Sequence, residues 1–232
     1  MKNSLFLILL GLLIRPAFGQ KIIEKTLPVA SGQLVNLNLK FADSIRVRYW
    51  DKPTALVRIA VTINGDKLND ALLVTSGSTT DEVSLQTDFD QELIKQGKPE
   101  DCPNQRHAWN NGRDGVRYTL CSEINYQVFL PRQARLNLET INGNIDIQGA
   151  TASVSAKTIS GFVDMNWPKA KGADVAMKTI TGEVYSNLSI DFKGKKEKNP
   201  IVGYLLEGTL HGGGPAVRLE SISNNIYLRE NN

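Results

Sequence analysis

Few residues in this chain are of a type and spacing that could do covalent chemistry. It has two histidines, His107 and His211, and two cysteines, Cys102 and Cys121. His211-Gly-Gly-Gly214 spells the oxyanion-hole motif of some lipases and esterases, but acyl transfer also needs a nucleophile on a sharp turn, and no Gly-x-Ser-x-Gly is present. The tetrapeptide therefore reads as a glycine loop. Asp88, Asp90 and Glu92 lie close together without the glycine and ligand spacing of a calcium loop, so they read as solvated loop acids. Two cysteines and two distant histidines do not make a four-ligand zinc site, and without a Cys-x-x-Cys spacing no redox centre is expected. No catalytic residue, metal or cofactor is expected. What remains is a polar loop between Cys102 and Cys121, which are expected to pair in an exported chain and close 18 residues between them. Within it His107 and Trp109 form a possible binding loop. An aromatic there stacks on a sugar or fills a partner's pocket, or else folds back onto the body of the protein.

The elements that must hold such a loop are legible as repeats. Thr140-Ile-Asn-Gly143, Thr158-Ile-Ser-Gly161, Thr179-Ile-Thr-Gly182 and Ser221-Ile-Ser-Asn224 are four copies of one corner. Apolar residues stand four and two places before each copy (Leu136 and Leu138, Val154 and Ala156, Val175 and Met177, Val217 and Leu219). They stand again five and seven places after it, with Ser186 the exception. Polar residues alternate with them, apart from Phe162, Ala176, Tyr185 and Tyr227, which is the pattern of half-buried strands on both sides of a turn. Repetition near 20 residues marks stacked coils that cannot bury their apolar faces alone. The expected fold is all-β: a single-stranded β-solenoid with an irregular β N-terminal half. An antiparallel hairpin series folded into a sandwich is the alternative. Gly143, Gly161, Gly182 and Asn224 are read as left-handed corner positions, and Ile141, Ile159, Ile180 and Ile222 as turned inward. The double-length gap from Gly182 to Asn224 is read as a basic surface loop, 193–198, followed by one degenerate coil. Glu139, Lys157, Lys178 and Glu220 share one position and are read as a salt-bridge ladder, each exposed pair worth little.

Residues 1–19 read as a secretory signal peptide: Lys2, an apolar run from Leu5 to Ile14, and Ala17-Phe18-Gly19 before Gln20. The run is too short to span a bilayer, and the mature chain has no second one. Lys2 and Arg15 leave with the leader, so 25 of the 27 basic residues face 24 acidic ones, a balance that favours neither nucleic acid nor an anionic membrane. Residues 20–130 read as an N-terminal β region with the disulfide-closed insertion and 131–232 as solenoid coils, the two forming one continuous domain over 20–232. Thr62-Ile-Asn-Gly65 copies the corner in letters, but Arg58, Lys67 and Asn69 would occupy its core positions, so it reads as a turn. A short helical turn is expected within 66–73. Trp50 and Trp167 read as packing residues at strand ends.

The recurrent Thr-x-Ser/Asn-Gly-x-Ile/Val corners, the ending Gly212-Gly-Gly-Pro to Ile226-Tyr-Leu-Arg229 and the segment Ile45-Arg-Val-Arg-Tyr-Trp50 resemble the bacterial "putative adhesin" β-strand-repeat family of exported envelope proteins. The likeness covers about residues 34–229, with Cys102 to Cys121 looking like an addition. It implies a right-handed single-stranded β-helix and no particular activity. The expected function is a non-catalytic binding or scaffold module in the periplasm or at the cell surface, with an envelope protein or a glycan as partner. The alternatives are a carbohydrate-active enzyme on the same scaffold and a partner of an envelope-stress sensor.

Overall fold

The structure is a computed structural model that describes residues 20–103, 108–111, 117–193 and 203–231. The expected leader and His107 lie outside the described residues, as does most of the basic tract. The described chain is nearly all β, in two mixed sheets of nine strands each. The first runs β1 (Lys21–Pro28), β4 (Thr54–Ile63), β8 (Tyr118–Pro131), β3 (Ser44–Trp50), β10 (Asn144–Gln148), β12 (Val163–Pro168), β18 (Ile226–Asn231), β14 (Val184–Ser186), with β7 (Ala108–Asn111) on β8. The second runs β15 (Asp191–Phe192), β16 (Tyr204–Leu210), β13 (Ala173–Thr179), β17 (Ala216–Ser221), β11 (Val154–Thr158), β9 (Arg135–Thr140), β2 (Leu34–Leu39), β6 (Glu82–Phe89), β5 (Leu72–Ser78). The helical turn expected within 66–73 is a single 3-10 turn, Asn69–Ala71.

Each corner motif carries the chain from a strand of the second sheet to one of the first. With the bend that joins β2 to β3, which has no corner motif, this makes five tiers, β2–β3, β9–β10, β11–β12, β17–β18 and β13–β14, paired in parallel with their neighbours in both sheets. Leu138, Ala156, Leu219 and Met177 lie in one row across β9, β11, β17 and β13. The parallel register excludes a hairpin series for these strands. Their period-2 alternation sends side chains from both sheets, and from both halves of the chain, into one core that includes Leu37, Ile45, Leu138, Ile147, Met165 and Leu219. Burying each such aliphatic side chain contributes about 1.5–3 kcal/mol. Trp167 is fully buried and donates its indole N–H to the Lys171 carbonyl at 3.0 Å; Trp50 donates to Thr54 at 2.8 Å and stacks on Phe129.

The copies do not stack in chain order: the last one, β17–β18, sits between β11–β12 and β13–β14. The segment before it corrects an expectation, for it is not a degenerate coil. β16 pairs antiparallel with β13 at the end of the stack and carries β15 beyond it. Having no corner motif, that segment reverses as a hairpin and covers the β13 edge. The pseudo-corner at Ile63-Asn64-Gly65-Asp66 is a turn with three successive left-handed residues, φ 48°, 62° and 72° for Asn64, Gly65 and Asp66.

Candidate functional site

The corners stack into one edge of the molecule, and their first residue organises it. Thr140, Thr158, Ser221 and Thr179 continue the inward alternation of their strands and are buried. Thr158 Oγ1, Ser221 Oγ and Thr179 Oγ1 each accept the N–H three residues on, from Gly161, Asn224 and Gly182, all at 3.1 Å. Each donates to a carbonyl of the adjacent tier: Gly143 at 2.9 Å, Gly161 at 2.7 Å and Asn224 at 2.8 Å. This ladder staples the tiers together at the bend. Thr140 Oγ1, at the last rung, is buried without a hydrogen-bond partner among the described residues. The tier facing it is built differently. Asn38 pairs Glu139 and Ser44 pairs Asn144, so the first tier spends one residue more on its bend, and continuing the register sets Leu39 across from Thr140.

Two further expectations change here. None of Gly143, Gly161, Gly182 or Asn224 has a positive φ. Glycine is required instead by close approach: a Cβ on Gly161 would lie 2.0 Å from the Gly143 carbonyl oxygen, and one on Gly182 would lie 2.1 Å from that of Asn224. The isoleucines face out. Ile141, Ile159 and Ile180 are 36%, 39% and 38% exposed, and Ile222 is half-buried, because the hydroxyl residue before them takes the inward position.

Where the longer first bend meets the next two, the edge opens into a hollow of about 340 Å³ lined by Phe41, Asp43, Asn142, Asn144, Ser160 and, from β8, Ser122. Asp43 is anchored there, its Oδ2 accepting the Ile124 N–H at 2.7 Å. Asn144 Oδ1 accepts the Phe162 N–H at 3.2 Å. The third corner residue is polar in all four copies. Ser223 and Thr181, away from the hollow, donate to the carbonyls of Ile159 (2.8 Å) and Ile222 (3.4 Å) in neighbouring tiers. Asn142 and Ser160, which line it, make no side-chain hydrogen bond among the described residues, and neither does Ser122. Sequence reading passed over these residues. The polar third position was a visible signal; the extra residue before Ser44 became legible only from the pairing.

The disulfide joins Cys102 to Cys121, directly before Ser122, so the insertion is tethered beside the hollow. Trp109 is placed only as a backbone position of β7, opposite Leu120. The three acids Asp88, Asp90 and Glu92 have separate duties. Asp88 pairs with Lys40, Asp90 caps helix α1 (Gln91–Ile94) by accepting from Glu92 and Leu93, and Glu92 pairs with Lys95 at 2.8 Å. The Lys40 ammonium holds the Asp88 carboxyl below the usual range, against a smaller opposing effect of burial. His211 sits at φ 47° with Nε2 2.7 Å from the Lys169 carbonyl, followed by Gly212, Gly213 and Gly214, all at positive φ: a loop leading into β17. Among the described residues no group of three or more His, Cys, Asp or Glu is placed to hold a metal.

A second polar surface lies on the outer face of the first sheet. Asp146 and Asp164 are register partners on adjacent strands; Arg48 Nη2 reaches Asp146 and Arg229 Nη2 reaches Asp164, both at 2.8 Å. Burial pushes the Asp164 carboxyl above its usual range, Arg229 opposes that shift and Asp146 adds to it. Tyr227 stacks on Tyr185 beside them, with Arg229 over its ring. On the second sheet the row read from chain order as Glu139, Lys157, Lys178, Glu220 is arranged in space as Glu139, Lys157, Glu220, Lys178, strictly alternating in sign, with Lys157 3.9 Å from Glu220.

Neither a family model nor a curated protein matches the chain. Among solved structures it is similar to a "putative cell adhesion protein" from Clostridium sporogenes ATCC 15579, at 12% identity over 91% of this chain and 100% of that one, with a TM-score of 0.53. It also matches a "putative adhesin" from Bacteroides fragilis NCTC 9343 at 10% identity over 92% of this chain and 98% of that one, with a TM-score of 0.31. At these identities the Clostridium structure shows a shared fold and nothing about a ligand.

Proposed function

We propose that this chain is an exported, non-catalytic binding module of the bacterial envelope, an adhesin-type protein on a β-solenoid. The five parallel tiers support the solenoid reading. The reading includes a right-handed winding, the hand that parallel crossovers between strands of one sheet almost always take. Export rests on the leader-like first 19 residues and on the disulfide. The fold shared with a protein described as a cell adhesion protein agrees with this reading. No helix among the described residues is long and apolar enough to cross a membrane. The observation that carries the binding role is the corner edge, where an unbonded polar hollow opens beside a row of outward isoleucines on a rigid stack. Labelled full-length protein is expected to bind isolated envelopes or intact cells saturably, and surface biotinylation then separates a periplasmic from an exposed location. Failure to bind either preparation would refute the reading.

One observation favours a second reading, a carbohydrate-active enzyme: two adjacent carboxylates flanked by Arg48 and Arg229 on an outward face, one of them with its acidity weakened by burial. Turnover on a panel of acidic and neutral glycans that disappears in Asp164→Asn would establish it.

A further inference from the structure

We infer that the corner hollow is a subsite for one neutral hexopyranose unit, as a free glycoside or at the end of a glycan. The inference rests on the binding-module reading and adds the chemical class of the ligand. Its basis is unused hydrogen-bonding capacity converging on one place. Elsewhere along the edge the third corner residue spends its hydroxyl on a neighbouring tier, as Ser223 and Thr181 do. Around the hollow the Asn142 carboxamide, the Ser160 and Ser122 hydroxyls, the Asn144 Nδ2 group and the Asp43 Oδ1 atom have no protein partner among the described residues. The cause is structural: the longer first bend displaces Phe41, Ala42 and Asp43 from the register that the other corners share.

The lining selects among ligand classes. Carboxamides and hydroxyls each donate and accept, and vicinal sugar hydroxyls do the same, so one wall of mixed groups matches a polyol. Among the described residues no Lys or Arg lines the hollow, and Asp43 does, so a phosphate, sulfate or uronate would meet a like charge without one of these cations to offset it. A divalent cation would find one carboxylate where it needs several charged oxygens. An apolar peptide side chain would strand the carboxamides. Phe41 and Ala42 give the apolar C–H face of a pyranose something to rest on. The volume, about 340 Å³, is at the small end of ligand sites and suits a single ring.

The test is an amide-resolved NMR titration of the full chain with its disulfide intact. The probes are the methyl glycosides of glucose, galactose, mannose and N-acetylglucosamine, with glucuronate and glucose 6-phosphate as anionic counterparts. At least one neutral glycoside is expected to shift amides at 41–43, 122, 142–144 and 160, with the anions at least about tenfold weaker. Asn142→Ala and Ser160→Ala should each weaken that binding about fivefold, the worth of one hydrogen bond, with an unchanged thermal midpoint. Asp43→Asn keeps an acceptor for the Ile124 N–H and should narrow the gap between neutral and anionic probes. A disaccharide ending in the preferred sugar that binds at least as well places the unit at a chain end; binding of the monosaccharide alone assigns a free sugar. No shift at these residues with any neutral glycoside, tighter binding of the anions, or unchanged affinity in both alanine variants overturns the inference. Envelope binding measured in parallel keeps the two readings apart. Wild-type envelope binding that survives without a sugar shift removes the subsite and leaves the module, whereas no envelope binding at all removes the module.

Discussion

Gly161 and Thr158 carry the corner in different ways, and substitutions separate them. A Cβ on Gly161 would press on the Gly143 carbonyl, a backbone atom that cannot swing away, so Gly161→Ala should cost about 3 kcal/mol and Gly161→Val more. Gly212→Ala, at φ +81° with nothing within 4 Å, should cost only about 1 kcal/mol of backbone strain. Equal effects in chemical denaturation would remove the close-approach argument. Thr158→Val keeps the shape and deletes both hydrogen bonds, leaving the Gly161 N–H and the Gly143 carbonyl unmatched; about 1–3 kcal/mol should be lost, and Thr158→Ser should recover most of it. The sequence exposed the glycines but suggested the wrong cause, since glycine serves close approach as readily as positive φ and only a neighbouring tier distinguishes them. Titration follows the same local logic. Asp88, held acidic by Lys40, contributes stability that is present above the unfolded carboxylate pKa and lost as pH falls through its lower folded value. Asp164 has the opposite sign: its folded pKa is raised, so it carries a penalty at neutral pH that is relieved as pH falls through the raised value. Asp164→Asn should therefore melt above wild type at pH 7 and together with it near pH 3; a lower midpoint at pH 7 would mean that the Arg229 pair outweighs burial.

At the scale of elements, rows of like position along the stack differ in what they contribute. The alternating row Glu139, Lys157, Glu220, Lys178 is open to solvent along its outer side and its ion pair spans 3.9 Å, so Lys157→Ala should change stability by less than about 0.5 kcal/mol, well below the hydroxyl ladder one residue further along the same strands. The insertion is held by another device. Cys102 and Cys121 close a loop across the start of β8, and replacing both with Ala should cost up to about 3 kcal/mol by freeing the unfolded chain. Faster proteolysis should be confined to the neighbourhood of 89–103. If the whole tier stack became protease-sensitive instead, the insertion would be integral to the fold. The strands themselves were legible, because period-2 alternation does not depend on which strand comes next; the apolar pairs Leu136 and Leu138, and Val217 and Leu219, lie in β9 and β17. The hollow was not. It arises where Leu39 to Asp43 makes a bend one residue longer than the bend after Glu139, and a difference of one residue means nothing until the two strands are known to be neighbours.

Across the whole molecule the order of the tiers is what the sequence could not disclose. Val154, Val217 and Val175 are register partners, so β13 would fit against β11 as well as β17 does, and the repeat pattern is satisfied by either arrangement. The connections decide. After β14 the chain turns back through β15 and β16, which cover the outer edge of β13, and the glycine loop at 211–214 then delivers β17–β18 into the place between the third tier and β13–β14. A strand at the end of a stack has a neighbour on one side only. Here β17 is paired on both sides, by β11 and β13, and β18 by β12 and β14, and Val217, Leu219, Ile226 and Leu228 are buried in the shared core. Amide hydrogen exchange should therefore find Leu219 and Leu228 among the most protected positions, exchanging through near-global unfolding and on the order of a hundredfold more slowly than Thr75 and Ser76 on β5, an edge strand whose outer half is exposed. The measurement reads tier order directly. A β17–β18 unit stacked on the end of the molecule in chain order would exchange at edge-strand rates, and finding that would show that β13 lies against β11 and that the C-terminal tier is not the one enclosed.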